Sequence, residues 1–497
     1  MQHFLKEKTM IATMKKTACL LACTALIGTG FAAIAHAQDD MMMDNPAMEQ
    51  EMVMVEETIA VPVAATEPAA APSADLRIDT LTEAVSVGME TNPETGIVEN
   101  NRRATDEELN QAQALYYPSI DLQGDTGFEY TKNSNTRAGP GDDDETLYRY
   151  QVGITLTQLL FDGFDTKYEN ERQYQRVRSA SHRVRETAEF VGLDIVEAYL
   201  DVVRQRELLR IARDNVQEHL NILAKIEDGA NAGRSTQADV EQVRARLAAA
   251  RANEANVIEA LRVSETTYKR EVGDMPGDLQ VPVVPVTALE VDVEEEVKHA
   301  LTHSPTLDIF EADVNVADAE RWQTRSTYYP QVDLQLGANA GDNLGGIEQE
   351  DYGASALVVM NWNLYRGGGD QAREREFIYR HAQSKEERND AARAVEDDVR
   401  QTWASMLSAR ERARQFAEQA SANEEVVGAY RDQFDLDRRT LLDVLDAQNE
   451  LFVSRSNTIN NEVVEMFAIY RLLALKGELL PTLNVAYQDE VDPSHEY

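Results

Sequence analysis

Two histidines, His299 and His303, have a spacing that could serve metal chemistry. Side chains four residues apart share one face of a helix, and such a pair often forms half of a zinc site. Here the pair lies in a short acidic stretch beside Pro305, and the other histidines are scattered along the chain. This context favours a solvent-exposed helix face over a zinc site.

A triple glycine, Gly367-Gly368-Gly369, is the second candidate for chemistry. A phosphate-binding loop needs a Lys and then a Ser or Thr after its glycines, and neither follows here. Carboxylates are abundant, but they are spread along the chain rather than paired in one pocket-forming segment. We therefore predict that the protein is not an enzyme and holds no cofactor or metal.

Two aspartates, Asp443 and Asp446, form a third candidate group. They are three residues apart, so a helix would place both carboxylates on one face. Acidic residues in a first helical turn often do no more than complement the positive end of the helix dipole. Spacing alone leaves open both this structural role and a role in an ion pathway.

The overall charge excludes one class of partner. The chain has 497 residues, with 48 Lys and Arg against 88 Asp and Glu, which gives a net charge of -40. A protein that neutralises phosphates needs a basic surface, so nucleic acid is not an expected partner. Hydrophobic residues make up 43% of the chain, which is typical of a folded protein.

The N-terminal segment has the features of a secretory signal. Lys15-Lys16 precede an apolar run that ends at Ala35-His36-Ala37, a small-residue pattern typical of a cleavage site. We predict a signal peptide over residues 1–37 and a disordered acidic leader over 38–75. Lipidation at Cys23 is an open alternative, because the residues before it resemble a lipobox. Both cysteines of the chain lie in this segment, so the mature protein would have no disulfide framework.

The rest of the chain repeats itself. One motif recurs at an offset of 212 residues and a second at an offset of 204, so two copies of one structural unit are joined by a proline-containing linker. The predicted boundaries are 76–275 for the first repeat, 276–291 for the linker, 292–483 for the second repeat and 484–497 for a C-terminal tail. The paired motifs are Tyr116-Tyr117-Pro118 with Tyr328-Tyr329-Pro330, and Leu160-Phe161-Asp162-Gly163 with Leu364-Tyr365-Arg366-Gly367.

After the Tyr-Tyr-Pro motif of each copy, residues alternate between apolar and polar. Ile120, Leu122 and Phe128 are apolar and their neighbours are polar or acidic, a period of two that predicts strand pairs over 118–160 and 330–365. Strands of about ten residues with one apolar face are typical of outer-membrane barrels. Four strands are too few to close a barrel, since about eight are needed, so several chains would have to share one.

The second part of each copy has helical periodicity. A proline-free stretch runs from Gly163 to Gly229 and would form a helix roughly 100 Å long. A turn and a returning helix follow, which predicts helical hairpins over 163–272 and 369–480. The last helix carries a heptad series typical of a coiled coil: Leu445, Phe452, Ile459 and Met466. Taken alone, these helices also fit the alternative of a periplasmic coiled-coil adaptor or scaffold without a pore.

The order of short helices, Tyr-Tyr-Pro-led strand pair, Leu-aromatic-x-Gly motif and helical hairpin, given twice, resembles the TolC family of outer-membrane efflux and type I secretion proteins. The resemblance implies a mostly α protein with membrane β structure, in which a trimer builds a 12-stranded outer-membrane β-barrel continued by a periplasmic α-helical barrel. It also implies an exit duct in contact with outer-membrane lipid. The implied partners are the other two chains of a homotrimer, a periplasmic adaptor and an inner-membrane ABC or proton-driven transporter. The cargo, secreted protein or small compound, stays open.

The resemblance also gives the helical tips a role. The segment from Arg439 to Asp446 resembles the periplasmic entrance motif of that family, in which two aspartates line the constriction. It implies that Asp443 and Asp446 form two rings of three carboxylates, which would favour cations. It also implies that Asp239 is the equivalent residue of the first copy and that Arg439 tethers neighbouring tips in the closed state. The family pattern has a Tyr five residues before the Arg, where this chain has Phe434 without a hydroxyl group.

Overall fold

The computed structural model describes residues 78–138, 144–436 and 438–494. The predicted signal peptide, the leader and Cys23 lie outside the described residues. The helices and strands follow in this order: α1 (Leu81–Thr91), α2 (Pro93–Ala114), β1 (Ser119–Thr131), α3 (Ser134–Ala138), β2 (Glu145–Phe161), α4 (Asp165–Asn231), α5 (Gln237–Val272), α6 (Val293–His303), α7 (Pro305–Gln323), β3 (Gln331–Asp342), β4 (Glu350–Asn361), α8 (Gly369–Asp435), α9 (Leu441–Lys476) and α10 (Leu479–Thr482).

The two helical hairpins have matching dimensions. α4 and α8 have 67 residues each, and α5 and α9 have 36 each. At 1.5 Å per residue, each long helix extends about 100 Å. No helix in the described part of the chain combines the length and the hydrophobicity needed to span a membrane. The hairpins are therefore the dominant feature of both repeats, as the fold class predicted.

The returning helices α5 and α9 begin in the same way. Thr236 and Thr440 are the N-cap residues, and each side chain accepts a hydrogen bond from the amide of the third helical residue. The side chains of these third residues, Asp239 and Asp443, bond back to the caps and complete a capping box. The same local sequence signal therefore ends the turn of both hairpins.

The four strands form one antiparallel sheet in the order β1-β2-β3-β4. β2 pairs with β3 in a register that places Leu156 opposite Leu336, so the sheet joins the two repeats. One face of the sheet carries exposed apolar side chains, among them Leu122 at 73%, Phe128 at 81% and Val358 at 67% exposure. Among the described residues, the outer edges of β1 and β4 have no strand partner. This sheet therefore has an apolar face and two unsatisfied edges.

The main apolar core lies around the middle of α4. α1, the end of α5 and the end of α9 pack against it there. A second cluster joins α6 with α8 and α9 at Val297, Val399 and Leu472. The short helices of each repeat thus fix the long helices to one another near the linker, far along the chain from the hairpin turns.

The segment after α9 crosses from the second repeat to the first. The buried carboxylate of Glu189 on α4 accepts hydrogen bonds from the amides of Leu479 at 2.8 Å and Leu480 at 3.3 Å, and from the Tyr487 hydroxyl. Further along, Arg103 of α2 donates to Glu490 at 2.6 Å. The C-terminal segment therefore packs against α2 and α4 as far as the described residues extend.

Burial makes the carboxyl group of Glu189 an unusually weak acid. It raises the pKa of this carboxyl from its ordinary value of 4.5 to about 7, although the three hydrogen bonds oppose the shift. A group with a raised pKa binds its proton more tightly in the folded state. Its contribution to stability is therefore full below pH 4.5 and is lost as the pH rises to about 7.

We expect Glu189→Gln to remove this part of the pH dependence, because an amide does not titrate. The free energy of unfolding of the wild-type chain should fall by up to about 3 kcal/mol more than that of the variant over this interval. Denaturation followed by far-UV circular dichroism at a series of pH values measures the difference. Burial raises the pKa of Asp194 from 3.8 to about 6, so the comparison variant Asp194→Asn should lose pH dependence over that lower interval instead. A variant slope equal to that of the wild type would contradict the assignment to Glu189.

Candidate functional site

The turns of the two hairpins lie side by side and share an apolar cluster. Phe434 and Tyr430 of α8 pack against this cluster. Because its members come from both repeats, the two tips of one chain form a single unit. The buried members are Ile222, Ile226, Val240, Val243, Leu441, Val444 and Leu445.

The aspartates Asp443 and Asp239 occupy equivalent positions in this unit. The Asp443 carboxylate accepts hydrogen bonds from the Thr440 hydroxyl at 2.7 Å and amide at 3.3 Å, and Asp239 makes the same contacts to Thr236 at 2.8 and 2.9 Å. The bonds from Thr440 and the charge of Arg439 hold the pKa of Asp443 below its ordinary value. Both aspartates thus cap a helix, and for Asp443 this is the structural role that its position in a first turn left open.

Arg439 is held by its own hairpin. Its guanidinium carbon lies 3.7 Å from the centroid of the Tyr430 ring, and its Nε atom lies 3.8 Å from Asp443 Oδ2. A cation stacked on an aromatic face at this distance is an attractive contact. Tyr430 lies nine residues before Arg439 and about one helical turn before Phe434. It therefore supplies an aromatic partner that the family pattern did not indicate.

Asp446 contacts the other hairpin. Its Oδ1 accepts a hydrogen bond from Arg246 Nη2 of α5 at 2.9 Å. Two more ion pairs join the hairpins, Lys225 with Asp435 at 3.1 Å and Arg431 with Glu218. Each pair is partly exposed and contributes less than about 1 kcal/mol alone, but all three hold α4 and α5 against α8 and α9.

The structure brings only some of the predicted site residues together. Arg439 and Asp443 are neighbours, and Asp446 lies one turn further along the same helix. Asp239 lies in the other hairpin, and its polar contacts within the described residues are with Thr236 of that same hairpin. The predicted group therefore divides into two capping aspartates, one arginine stacked on an aromatic ring and one aspartate in an ion pair between hairpins.

Arg246, Tyr430 and Lys225 were not identified from the sequence, although a signal for the ion pairs existed. The paired residues are 200, 210 and 213 positions apart, close to the repeat offset of 204. Residues separated by about that offset lie at the same level of the two hairpins. Opposite charges near this separation therefore predict contacts between hairpins.

The expectation of an exposed face for the histidine pair is wrong for His299. Its Nδ1 lies 3.0 Å from Glu290 Oε1 and its Nε2 lies 3.3 Å from Glu478 Oε1, while His303 contacts the ring edge-on. The linker and the segment after α9 fold over this face of α6, which half-buries the ring. Within the described ranges, no group of three or more His, Cys, Asp or Glu side chains is arranged to hold a metal.

Comparison with known proteins identifies the architecture. The family described as "Outer membrane efflux protein" matches residues 90–270 and 297–463, which cover most of both repeats. The chain belongs to this family. Its relatives include the outer membrane efflux protein BepC of Brucella suis, 27% identical over 418 residues that cover 81% of this chain and 86% of BepC. The outer membrane protein TolC of Escherichia coli is 23% identical over 447 residues, 82% of this chain and 84% of TolC.

Solved structures show the same fold. The outer membrane protein VceC of Vibrio cholerae superposes with a TM-score of 0.67 at 14% identity, covering 82% of this chain and 97% of VceC. The expected resemblance and fold class are confirmed, and the protein is an outer-membrane efflux channel with a large helical portion in the periplasm. The comparisons give no support to the scaffold without a pore. The family consists of channel proteins rather than enzymes.

Proposed function

We propose that three copies of this chain form the gated exit duct of a tripartite efflux or type I secretion system. The observation that supports this assembly is the four-stranded sheet with an apolar face and two free edges. If β1 of one chain pairs with β4 of the next, three chains provide twelve strands and leave no open edge in lipid. The hairpins would then continue the barrel into the periplasm as an α-helical barrel.

The gate would lie at the hairpin tips. Threefold symmetry turns Asp443 and Asp446 into two levels of three carboxylates, and rings of carboxylates favour cations. In the described arrangement Arg246 neutralises Asp446 from the other hairpin of the same chain. Separating the hairpins would break this pair and free the carboxylate. The closed and open states would thus differ in the charge of the constriction as well as in its width.

Arg439 would add a second restraint on the closed state. It lies beside Asp443 and stacks on Tyr430, at the point where α9 begins. From there its remaining donors are available to a neighbouring tip, as the family resemblance implies. Phe434 contributes apolar packing instead of a hydroxyl contact. Arg439 and the Arg246 pair, rather than a tyrosine and Asp239, would therefore hold the tips shut.

Energy and opening would come from partners. We infer that a periplasmic adaptor docks at the helical tips and that an inner-membrane ABC or proton-driven transporter drives the cargo, since the sequence shows no nucleotide-binding motif. The name of a relative, the toluene efflux pump outer membrane protein TtgF of Pseudomonas putida, makes small compounds the first cargo to test. Single-channel recording of the purified protein in a planar bilayer tests the duct itself, and a protein that gives no conductance would reject it.

We expect Arg246→Ser to raise the open probability of single channels several-fold, because it removes an ion pair between the hairpins. Arg244→Ser is the matched control, since Arg244 pairs with Glu227 and Glu241 inside the first hairpin. Arg439→Ser should raise basal conductance in the same recordings. Equal open probabilities for the Arg246 and Arg244 variants would remove the pair with Asp446 from the gate.

We expect the double change Asp443→Ala and Asp446→Ala to weaken block by a trivalent cation applied from the periplasmic side. Loss of both rings should raise the half-blocking concentration by about tenfold or more, since multivalent cations bind through the carboxylates. Asp239→Ala loses the equivalent helix cap in the other hairpin and controls for damage to the turn. If block is as strong in the double variant as in the control, the two aspartates do not line the constriction.

A further inference from the structure

A polar cavity of about 340 Å³ lies between the two hairpins of one chain. Its walls come from α4, α8 and α9, so a molecule inside it would touch both repeats. It is separate from the capping residues and from Asp446. The residues used below that line it are Ile211, Asn215, Glu218, Val427, Gly428, Arg431, Gln448, Leu451 and Arg455.

Two polar groups of this cavity have unmet hydrogen bonds. Gln448 is only 4% exposed, and its Nε2 atom has no hydrogen-bond acceptor among the described residues. The Oδ1 atom of Asn215, on the facing helix α4, is buried and lacks a donor in the same part of the chain. A buried polar group without a partner is costly, so such groups in native proteins usually meet a water or a ligand. The cavity thus presents one unmet donor and one unmet acceptor.

The charges around the cavity are already balanced. Arg431 pairs with Glu218, Arg455 pairs with Glu424 at 3.0 Å, and the remaining charged residue of the lining, Asp214, pairs with Arg210 at 2.9 Å. An ion would therefore find no unpaired partner in these side chains. Ile211, Val427 and Leu451 are buried and provide an apolar surface beside the polar groups. This combination favours a neutral molecule with an apolar part over a salt ion.

We propose that the cavity binds a small neutral amide. The ligand carbonyl would accept the Gln448 Nε2 hydrogen bond, its N–H would donate to Asn215 Oδ1, and its apolar substituent would lie on Val427 and Leu451. The cavity has the size of a small-molecule site. The bound amide would join α4 to α9 and so stabilise the contact between the hairpins. Binding itself does not depend on the proposed gate and is measured separately from conductance.

The test uses para-fluorobenzamide and fluorine NMR with the full-length protein in detergent. We expect saturable binding to the wild-type chain and an affinity about tenfold lower in Gln448→Leu, which keeps the volume but removes the donor. The N,N-dimethyl analogue, which lacks the N–H group, should bind at least as weakly as the amide binds to that variant. Gln415→Leu is the matched control, since Gln415 is exposed on α8 and bonds to Glu411 at 3.0 Å.

A second variant keeps the test decisive if Gln448→Leu does not fold. Gly428 is an exposed residue that lines the cavity, and a Cβ atom there would meet no heavy atom within 4 Å. Gly428→Leu should therefore be accommodated and narrow the cavity from its open side, and leucine favours a helix more than glycine does. We expect this variant to lose amide binding. The proposal is overturned if the wild-type chain shows no saturable binding, which would mean a cavity filled by water alone. It is also overturned if the dimethyl analogue binds equally well, or if Gly428→Leu leaves the affinity unchanged.

Discussion

The backbone edges of a four-stranded sheet set the constraint on which the rest of the molecule depends. β1 and β4 each have a row of amide and carbonyl groups without a strand partner in the described chain, and the adjoining face is apolar. In lipid no water is present to satisfy such groups, so the edges must pair with other chains. The proposed trimer follows from this requirement. The duplication supports it, because placing β2 beside β3 lets one chain provide a continuous third of the barrel wall.

The same duplication determines what happens at the far end of the hairpins. The two copies have helices of equal length and identical capping boxes, so their turns reach the same level. There an apolar cluster and three partly exposed ion pairs join them. Contacts of this kind are individually weak, which suits a junction that must open under the action of a partner. The strong packing lies instead around α1, the middle of α4 and the C-terminal segment.

Local patterns in the sequence were sufficient to predict the fold. Alternation around Ile120 and Leu122 predicted strands, and the proline-free stretch after Gly163 predicted a long helix. The contacts of the site were harder to predict from the sequence, because Arg246 meets Asp446 across 200 residues and Arg439 stacks on Tyr430 across a turn. The partial burial of His299 and the contact of Glu189 with Tyr487 also depend on how the linker and the C-terminal segment fold back. No period or motif in the sequence encodes these contacts of His299 and Glu189.

The central claim is that three chains close one barrel, and native mass spectrometry of the protein released from detergent micelles tests it most directly. The account predicts a particle with the mass of three mature chains that dissociates only under denaturing conditions. A stable particle with the mass of one or two chains would contradict it, because the edges of β1 and β4 would then have to be satisfied in another way.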